Sequence, residues 1–207
     1  MKKLDLTKQY KQYYTAPEKP ALVIIDKAVF LSIAGKGDPS GQAYSERIQA
    51  LYSLAYTVKF HQKAQGKDFV VAKLEAQWWF DSESYADVSI SEAPLKIPRD
   101  AWEYRLLIRM PEFVTAETLA TAKEILAKKK QTGFAEDVVF WQMEEGKCVQ
   151  MLHTGPFDKE PESLLQIQKF VAENNLMKNG LHHEIYLSDF NKTAPEKLRT
   201  ILREPVK

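Results

Sequence analysis

The residues best suited to catalysis or ligand binding lie together in the segment 181–188, Leu-His-His-Glu-Ile-Tyr-Leu-Ser. Side chains alternate between the two faces of a strand, so His182, Glu184 and Tyr186 share one face, and His183 and Ile185 share the other. We expect the second face to pack against helices and the first face to line a cleft. A carboxylate partly withdrawn from water is suited to acid–base chemistry, which makes Glu184 the candidate catalytic base.

The neighbours of Glu184 on that face are candidates for supporting roles. Tyr186 is predicted to orient the carboxylate or to donate a hydrogen bond to a ligand, and His182 is predicted to contact the ligand. Other interpretations remain open at this point. Glu184 fits equally a solvent-exposed strand residue or a partner of Lys or Arg, and Tyr186 fits a half-buried structural tyrosine.

An earlier strand, predicted from Phe69 to Glu75, supplies two further candidates. Glu75 and Trp79 have the same parity, and both are predicted to face the cleft as ligand-binding residues. Trp78 has the opposite parity and is predicted to enter the core. A core position is the alternative for Trp79, because a single tryptophan is usually a core residue.

Aromatic residues on two more strands are predicted to complete the pocket. Trp102 and Tyr104 share one face of a strand from Trp102 to Met110, with Trp102 as a ligand-binding wall and Tyr104 as a second catalytic hydrogen-bond donor. Trp141 is predicted to form the floor of the pocket, and a core tyrosine is the alternative for Tyr104. A cavity with aromatic walls suits flat, conjugated ligands.

Other catalytic classes find little support in the sequence. His153, His182 and His183 do not suggest a metal site, because adjacent histidines of a strand point to opposite faces and no cysteine or carboxylate spacing completes a ligand set. No phosphate-binding loop or nucleophile elbow is present. The single cysteine, Cys148, has no partner for a disulfide. We therefore expect neither a metal nor a cofactor.

The elements that must position these residues follow one order twice. Residues 1–20 are predicted to form an arm that packs through tyrosines. Strand, Gly/Pro turn, helix, Gly stop, strand and helix then occur in residues 21–133 and recur in residues 134–207. The last helix is predicted to open at the capping sequence Thr193-Ala194-Pro195-Glu196. Superposing the two units by spacing places Glu75 and Glu184 at equivalent positions.

Composition limits the kinds of partner. The chain of 207 residues has 29 basic and 28 acidic residues, so its net charge of +1 gives no general attraction to a nucleic-acid backbone. The start of the chain is polar, and no apolar run approaches the length of a membrane span. We expect a cytoplasmic protein that contacts neither nucleic acid nor membrane.

Several stretches resemble the GyrI-like small-molecule-binding family. They include Phe30–Pro39, Trp102–Pro111 and His153–Phe157, and the most specific are His182–Asp189 and Lys192–Leu198. The resemblance implies an α+β fold built from two pseudo-symmetric βαβ-type units, a duplicated SHS2-like module whose antiparallel sheets flank a central ligand cleft. It also implies that a glutamate on the penultimate strand lies in this cleft, and Glu184 is the matching residue.

Members of this family have different functions, and the resemblance implies the same set of possible functions for this protein. They include effector-binding domains of transcription activators, gyrase-inhibitory proteins and stand-alone hydrolases that open the cyclopropane ring of DNA-alkylating compounds. We expect no helix-turn-helix segment before the domain and therefore no self-contained transcription factor. We therefore expect a protein that binds hydrophobic, aromatic small molecules and hydrolyses reactive cyclopropanes. A drug-sequestering protein and a DNA gyrase inhibitor are the alternatives.

Overall fold

Eight strands form one antiparallel sheet in the computed structural model, which describes residues 3–81, 83–89, 91–128 and 133–207. The strands are β1 (Ala21–Ile25), β2 (Ala28–Lys36), β3 (Leu74–Trp79), β4 (Glu103–Met110), β5 (Val139–Met143), β6 (Gly146–Thr154), β7 (His182–Tyr186) and β8 (Arg199–Pro205). Their order across the sheet is β1-β6-β8-β7-β3-β4-β2-β5. The prediction of an α+β fold is confirmed. The prediction of two separate sheets is wrong, because β3 pairs with β7 and joins the two halves.

Six α-helices accompany this sheet in the described part of the chain. They are α1 (Leu6–Gln9), α2 (Lys11–Tyr14), α3 (Gln42–Ala64), α4 (Ala93–Lys96), α5 (Ala116–Lys128) and α6 (Glu160–Glu173). The long amphipathic helix predicted near residues 43–64 is confirmed as α3. The predicted end of α5 at residue 130 lies outside the described residues.

The last helix expected from the capping sequence at 193–196 is a wrong prediction. Pro195–Lys197 form a single 3-10 turn, after which the chain extends into β8. This strand pairs with both β6 and β7, so its backbone hydrogen bonds are satisfied on two sides. Pairing in the middle of the sheet thus outweighs the local helix signal.

The strand order is symmetric about the junction of β7 and β3. Outward from this junction, one side has β7, β8 and β6, and the other side has β3, β4 and β2. In each half the outermost of these strands precedes a long helix, which is followed by the innermost strand. The predicted pair of repeated units would produce this order, and their common origin remains a prediction.

Short connections force the sheet to curl. Asp26 and Lys27 alone connect β1 to β2, although these strands are first and seventh in the sheet. A flat sheet would separate them by roughly 30 Å, whereas a two-residue link spans only about 10 Å. Glu144 and Glu145 connect β5 to β6 under the same constraint. The two edges of the sheet must therefore approach each other.

The two faces of the curled sheet carry different layers. On the face that we call the cavity face, Tyr44 of α3 stacks on Trp78, and Leu164 and Ile167 of α6 pack in one apolar cluster with Leu202. On the opposite face, which we call the arm face, residues 5–16 pack through the buried Tyr13 and Tyr14. The face with His183 does pack against helices, but these are the short α1 and α2 of the N-terminal arm, while the long helices α3 and α6 lie on the cavity face.

Candidate functional site

A cavity of about 1040 Å³ lies on the cavity face between α3 and α6. Eight aromatic side chains line it, namely Tyr44, Trp78, Trp79, Phe80, Trp102, Phe157, Tyr186 and Phe190. Ionisable residues also line it, among them Glu160, His182, Glu184 and Glu204. A second cavity of about 610 Å³ lies beside the N-terminal arm and has mostly polar walls. The larger cavity is the candidate site, since it has the size and apolar surface typical of small-molecule pockets.

Glu184 lies in this cavity with a hydrogen bond to each oxygen. The hydroxyl of Tyr186 donates to Oε2 at 2.6 Å, and Nε2 of His182 lies 3.2 Å from Oε1. The side chain of Glu184 is only 12% exposed. Both donors lie on β7, two residues to either side of Glu184, as strand alternation predicts. They fix the orientation of the carboxyl group.

His182 links Glu184 to a second carboxylate. Its Nδ1 contacts Oε1 of Glu204, which lies on β8 one step beyond the His183–Arg203 pair. Burial by itself lowers the pKa of His182, but the charge of Glu204 and hydrogen bonds to Glu184 and Glu204 outweigh it and raise the pKa to about 10. The imidazole is therefore protonated at neutral pH and donates one N–H hydrogen bond to each carboxylate.

Tyr186 is a fixed hydrogen-bond donor. Burial, and next the charge of Glu184, raise the pKa of its phenol well above the ordinary value. The indole N–H of Trp78 donates to the same hydroxyl oxygen at 3.3 Å. The hydroxyl proton is thus directed at Glu184 over the whole physiological pH range.

Trp78 is the tryptophan that sequence parity assigned to the wrong side. It opposes His182 across β3 and β7 and faces the cavity, where Tyr44 stacks on it with ring centroids 5.9 Å apart. Trp79 also lines the cavity from the end of β3, and its indole N–H donates to Glu103 at 3.0 Å. Trp102 packs edge-on against Trp78 at 6.0 Å and lines the cavity as expected.

Glu75 lies outside the cavity, contrary to the prediction. It opposes Ile185, and its neighbour Ala76 opposes Glu184, so the superposition by spacing was wrong by one residue. A one-residue shift of register moves a side chain to the other face of the sheet. Glu75 is fully buried on the arm face, where Tyr13 and Tyr14 donate hydrogen bonds to it.

Glu75 belongs to a buried polar cluster that fastens the N-terminal arm to the sheet. His183 lies between two carboxylates: its Nδ1 is 2.9 Å from Glu145, and its Nε2 is 3.1 Å from Glu75 without an aligned hydrogen bond. The guanidinium of Arg203 donates to Glu145 and to the backbone oxygen of Tyr13, both at 2.9 Å. The cluster has no contact with the cavity and has a structural role.

Tyr104 and Trp141 also fail to reach the cavity. Tyr104 is 1% exposed and forms a second layer behind Trp78. Its hydroxyl faces the side chain of Arg47 rather than Glu184. Trp141 opposes Phe30 on the arm face, and the guanidinium of Arg105 lies 3.8 Å from its ring centroid. The prediction of which side chains share a face of each strand was correct. Whether that face lines the cavity or packs behind another layer depended on how the strands pair.

Sequence reasoning missed several residues of the site. Tyr44 has the helical spacing of a core residue, and Phe157 follows a turn, so neither carried a ligand-binding signal. Glu204 lies in a segment that was predicted as a helix, so its position opposite His182 on a neighbouring strand was not expected. Glu160 begins α6, where an acidic residue is an ordinary feature of a helix N-terminus.

Two features bear on metals and membranes. Among residues 3–81, 83–89, 91–128 and 133–207, no group of three or more His, Cys, Asp and Glu side chains is arranged to hold a metal ion. In the same part of the chain, no helix combines the length and apolar character needed to cross a bilayer.

The sequence pattern of the GyrI-like small molecule binding domain matches residues 103–207, which is just over half of the chain. This chain belongs to the GyrI-like family. The match begins at β4 and includes both β7, with Glu184, and β8, with Glu204. A comparison with curated proteins found no match.

Solved structures place this GyrI-like chain beside proteins of Listeria innocua. It is 38% identical to an uncharacterized conserved protein from this organism, with a TM-score of 0.89 over 99% of this chain and 100% of that one. It is also 38% identical to a hydrolase from Listeria innocua, with a TM-score of 0.85 and the same coverage. The C-terminal domain of EcmrR has a TM-score of 0.54 at 12% identity over 91% of this chain and 97% of that one, which shows a shared fold alone.

Proposed function

We propose that this GyrI-like protein binds flat, hydrophobic aromatic molecules in its cavity and hydrolyses reactive cyclopropane-containing electrophiles among them, as a detoxifying enzyme of the cytoplasm. The observation that carries the proposal is the position of Glu184, an oriented carboxylate inside a cavity of about 1040 Å³ with aromatic walls. The similarity to a hydrolase from Listeria innocua supports the hydrolytic class.

The shape of the cavity favours a planar ligand. Tyr44 and Trp78 are stacked with an interplanar angle of 20°, and Trp102 stands edge-on to Trp78 at 88°. Flat rings gain from both stacked and edge-on contacts with such walls, by about 0.5–1.5 kcal/mol per aromatic pair beyond simple burial. Five of the eight aromatic residues that line the cavity carry a hydroxyl or indole N–H, so the walls also offer polar contacts at their edges.

The chemistry proposed for Glu184 is general-base activation of water. In a cyclopropane fused to a conjugated dienone, water attacks a ring carbon, one ring C–C bond breaks, and its electron pair moves through the conjugated system to the carbonyl oxygen. Glu184 accepts a proton from the attacking water, and the carbonyl oxygen gains a proton to give a phenol. The sum is the addition of one water molecule.

The hydrogen bonds of Glu184 suit this role because each oxygen can accept more than one. Tyr186 and His182 occupy one acceptor direction on each oxygen and hold the carboxylate plane in place. The remaining directions are free to accept a proton from water. Fixed orientation of a base relative to its substrate is a major source of catalytic rate.

The fold offers a reason for a site at the centre of the sheet. We propose that residues 21–133 and 134–207 are two copies of one SHS2-like module and that the cavity formed where the copies met. The symmetric strand order about β7 and β3 supports this interpretation. Glu184 and its supporting residues lie on one of these two central strands.

The decisive experiment is incubation of the protein with a cyclopropane-containing alkylator of the dienone type. The product is followed by mass spectrometry in ordinary and ¹⁸O-labelled water. We expect a water adduct that carries the label, with more than one molecule of adduct formed per molecule of protein. Glu184→Gln should bind the substrate within a few-fold of the original affinity but react about 10²–10⁴ times more slowly.

A matched control is Glu196→Gln, the same change at an exposed residue of the turn before β8. It should leave turnover unchanged. Tight binding of the compound with no water adduct would contradict the hydrolase and favour a drug-sequestering protein. Unchanged turnover in Glu184→Gln, with an intact fold by circular dichroism, would remove Glu184 from the chemistry.

A further inference from the structure

Glu160 is a second carboxyl group in the same cavity, and its contacts are incomplete. It is the first residue of α6, it is 6% exposed, and it lines the cavity together with Glu184. Its Oε1 is buried and forms no hydrogen bond. Most buried polar atoms are hydrogen-bonded, so an unpaired oxygen at a cavity wall is available to a ligand.

The surroundings of Glu160 disfavour a negative charge. No Lys, Arg or His in the described part of the chain forms an ion pair with it, in contrast to Glu204, which contacts His182. An unpaired charge at this depth costs several kcal/mol, and a carboxyl group avoids the cost by holding its proton. Burial, and then the negative charge of Glu184, raise the pKa of Glu160 well above its ordinary value.

The groups facing Glu160 come from three elements. His182, Glu184 and Tyr186 of β7 act on it electrostatically, and Thr200 of β8 hydrogen-bonds its carboxyl group. The positive charge of His182 and the hydroxyl of Thr200 favour ionisation, but their effects are smaller than those of burial and Glu184. Asp158, in the turn before α6, and Glu204 of β8 add negative charge at the cavity wall, and Arg99 and Lys178 add positive charge there without forming an ion pair with Glu160.

We propose that Glu160 is the catalytic acid of the cavity, which donates a hydrogen bond to the carbonyl oxygen of the ligand and then protonates it. The inference rests on the proposed function and deepens it, because it assigns the residue that protonates the carbonyl oxygen of the substrate. Two carboxyl groups with opposite protonation states in one site are a recurring arrangement for paired acid and base catalysis.

With Glu160 as acid and Glu184 as base, every proton in the reaction is accounted for. As the ring C–C bond breaks and the carbonyl oxygen becomes an oxyanion, Glu160 gives its proton to that oxygen and becomes a carboxylate. Glu184 takes one proton from the water that bonds to the ring carbon. A proton then returns from Glu184 to Glu160 through solvent, and both residues regain their starting states. No oxidant or other reactant is needed.

The first test measures protonation in the free protein and is independent of turnover. Carbon-13 NMR of glutamate side-chain carboxyl groups is followed between pH 4 and 9. We expect one protonated carboxyl group at pH 7, absent from Glu160→Gln and present in Glu162→Gln, an exposed control one residue beyond Pro161 on α6. Persistence of this signal in Glu160→Gln, or the absence of such a signal from the original protein, would overturn the proposal.

The second test asks whether the acid recognises a carbonyl. Affinity is measured by tryptophan fluorescence for a planar dienone and for its carbonyl-reduced analogue. The original protein should favour the carbonyl compound about 2–12-fold, as one hydrogen bond of ordinary strength allows. Glu160→Leu, which keeps bulk without a donor, should lose this preference, and Glu162→Gln should retain it. An unchanged preference in Glu160→Leu would contradict the assignment, whether or not the protein turns over any substrate.

The third test uses the pH dependence of kcat/KM on the cyclopropane substrate. An acid that must be protonated gives a rate that falls at high pH, and Glu160→Gln should lose this limb and react about 10²–10⁴ times more slowly. A structural role would lower the rate without removing the limb. If the protein shows no turnover while the first two tests succeed, the hydrolase proposal fails and Glu160 stands as a carbonyl-binding acid.

Discussion

The hydroxyl of Tyr186 donates a 2.6 Å hydrogen bond to Oε2 of Glu184, two residues away on the same strand. The same hydroxyl accepts from the indole of Trp78 at 3.3 Å, so the cavity wall, the phenol and the carboxylate form one chain of contacts. This chain couples the position of an aromatic wall to the position of the base.

We expect Tyr186→Phe to lower turnover of the proposed substrate by about 10–100-fold, because a hydrogen bond to a charged group contributes about 1.5–3 kcal/mol. Steady-state kinetics measures the change. Tyr104→Phe is the matched comparison, since the hydroxyl of Tyr104 faces Arg47 and not Glu184. A larger loss in Tyr104→Phe than in Tyr186→Phe would restore Tyr104 as the second donor and contradict this arrangement.

The buried cluster on the arm face should dominate the stability of the fold. Arg203 has no exposed surface, and its Nη1 donates to Glu145, which is nearly as buried. Arg203→Met removes the guanidinium from Glu145, which then has His183 as its remaining charged partner, and should lower the free energy of unfolding by about 3–5 kcal/mol. Urea denaturation measures this effect.

A surface ion pair provides the control for that prediction. Lys169 and Glu173 lie one turn apart on α6, with side chains 74% and 61% exposed. Lys169→Met should change stability by less than about 0.5 kcal/mol, because exposed pairs contribute little. Equal losses in the two variants would show that the buried cluster is not a special source of stability.

Two histidines should make stability depend on pH in the alkaline range. The pKa of His182 is raised to about 10, and carboxylates likewise outweigh burial and raise the pKa of His183 to about 9. A raised folded-state pKa adds stability that is complete below the unfolded value near 6.5 and is lost as pH rises through 9–10. Thermal unfolding should therefore occur at progressively lower temperature from about pH 7 to pH 10.

Nitrogen-15 NMR of the imidazoles identifies the groups responsible. Of the four histidines, the signals of His182 and His183 should retain the protonated form at pH 8. His183→Gln should flatten part of the alkaline decline in melting temperature. Neutral imidazoles at both positions at pH 7 would contradict the proposed charge state of the site.

Gly35 is required by the close approach of Tyr104. A Cβ atom at this position would lie 2.6 Å from Cζ of the Tyr104 ring, which is held between Gly35, Tyr44 and Trp78. Gly35→Ala should destabilise the fold by about 1–3 kcal/mol, as overpacking of a core usually does. Because Tyr104 supports Trp78, ligand affinity should fall as well.

A double-mutant cycle tests the cause of this effect. In the background of Tyr104→Leu, where the ring is removed, Gly35→Ala should cost less than it does in the original protein. Denaturation curves of the four variants give the coupling energy. Additive costs would show that the strain at Gly35 arises from its backbone and not from Tyr104.

The sequence by itself determined the features that depend on local periodicity. Alternation along residues 182–186 placed His182, Glu184 and Tyr186 on one face, and helical spacing located α3 almost to the residue. These assignments succeeded because a strand or helix fixes the relative direction of neighbouring side chains without reference to the rest of the chain.

Only the tertiary structure decided which face meets which layer. The register of β3 against β7 buried Glu75 with Tyr13 and turned Trp78 toward Glu184, and a shift of one residue would reverse both. The segment predicted as the last helix forms β8 instead, because it pairs with β6 on one side and β7 on the other. This pairing places Glu204 beside His182. The proximity of Glu160 to Glu184 likewise arises from the packing of α6 on the sheet. Contacts between distant segments depend on strand pairing and burial, which no local pattern of residues specifies.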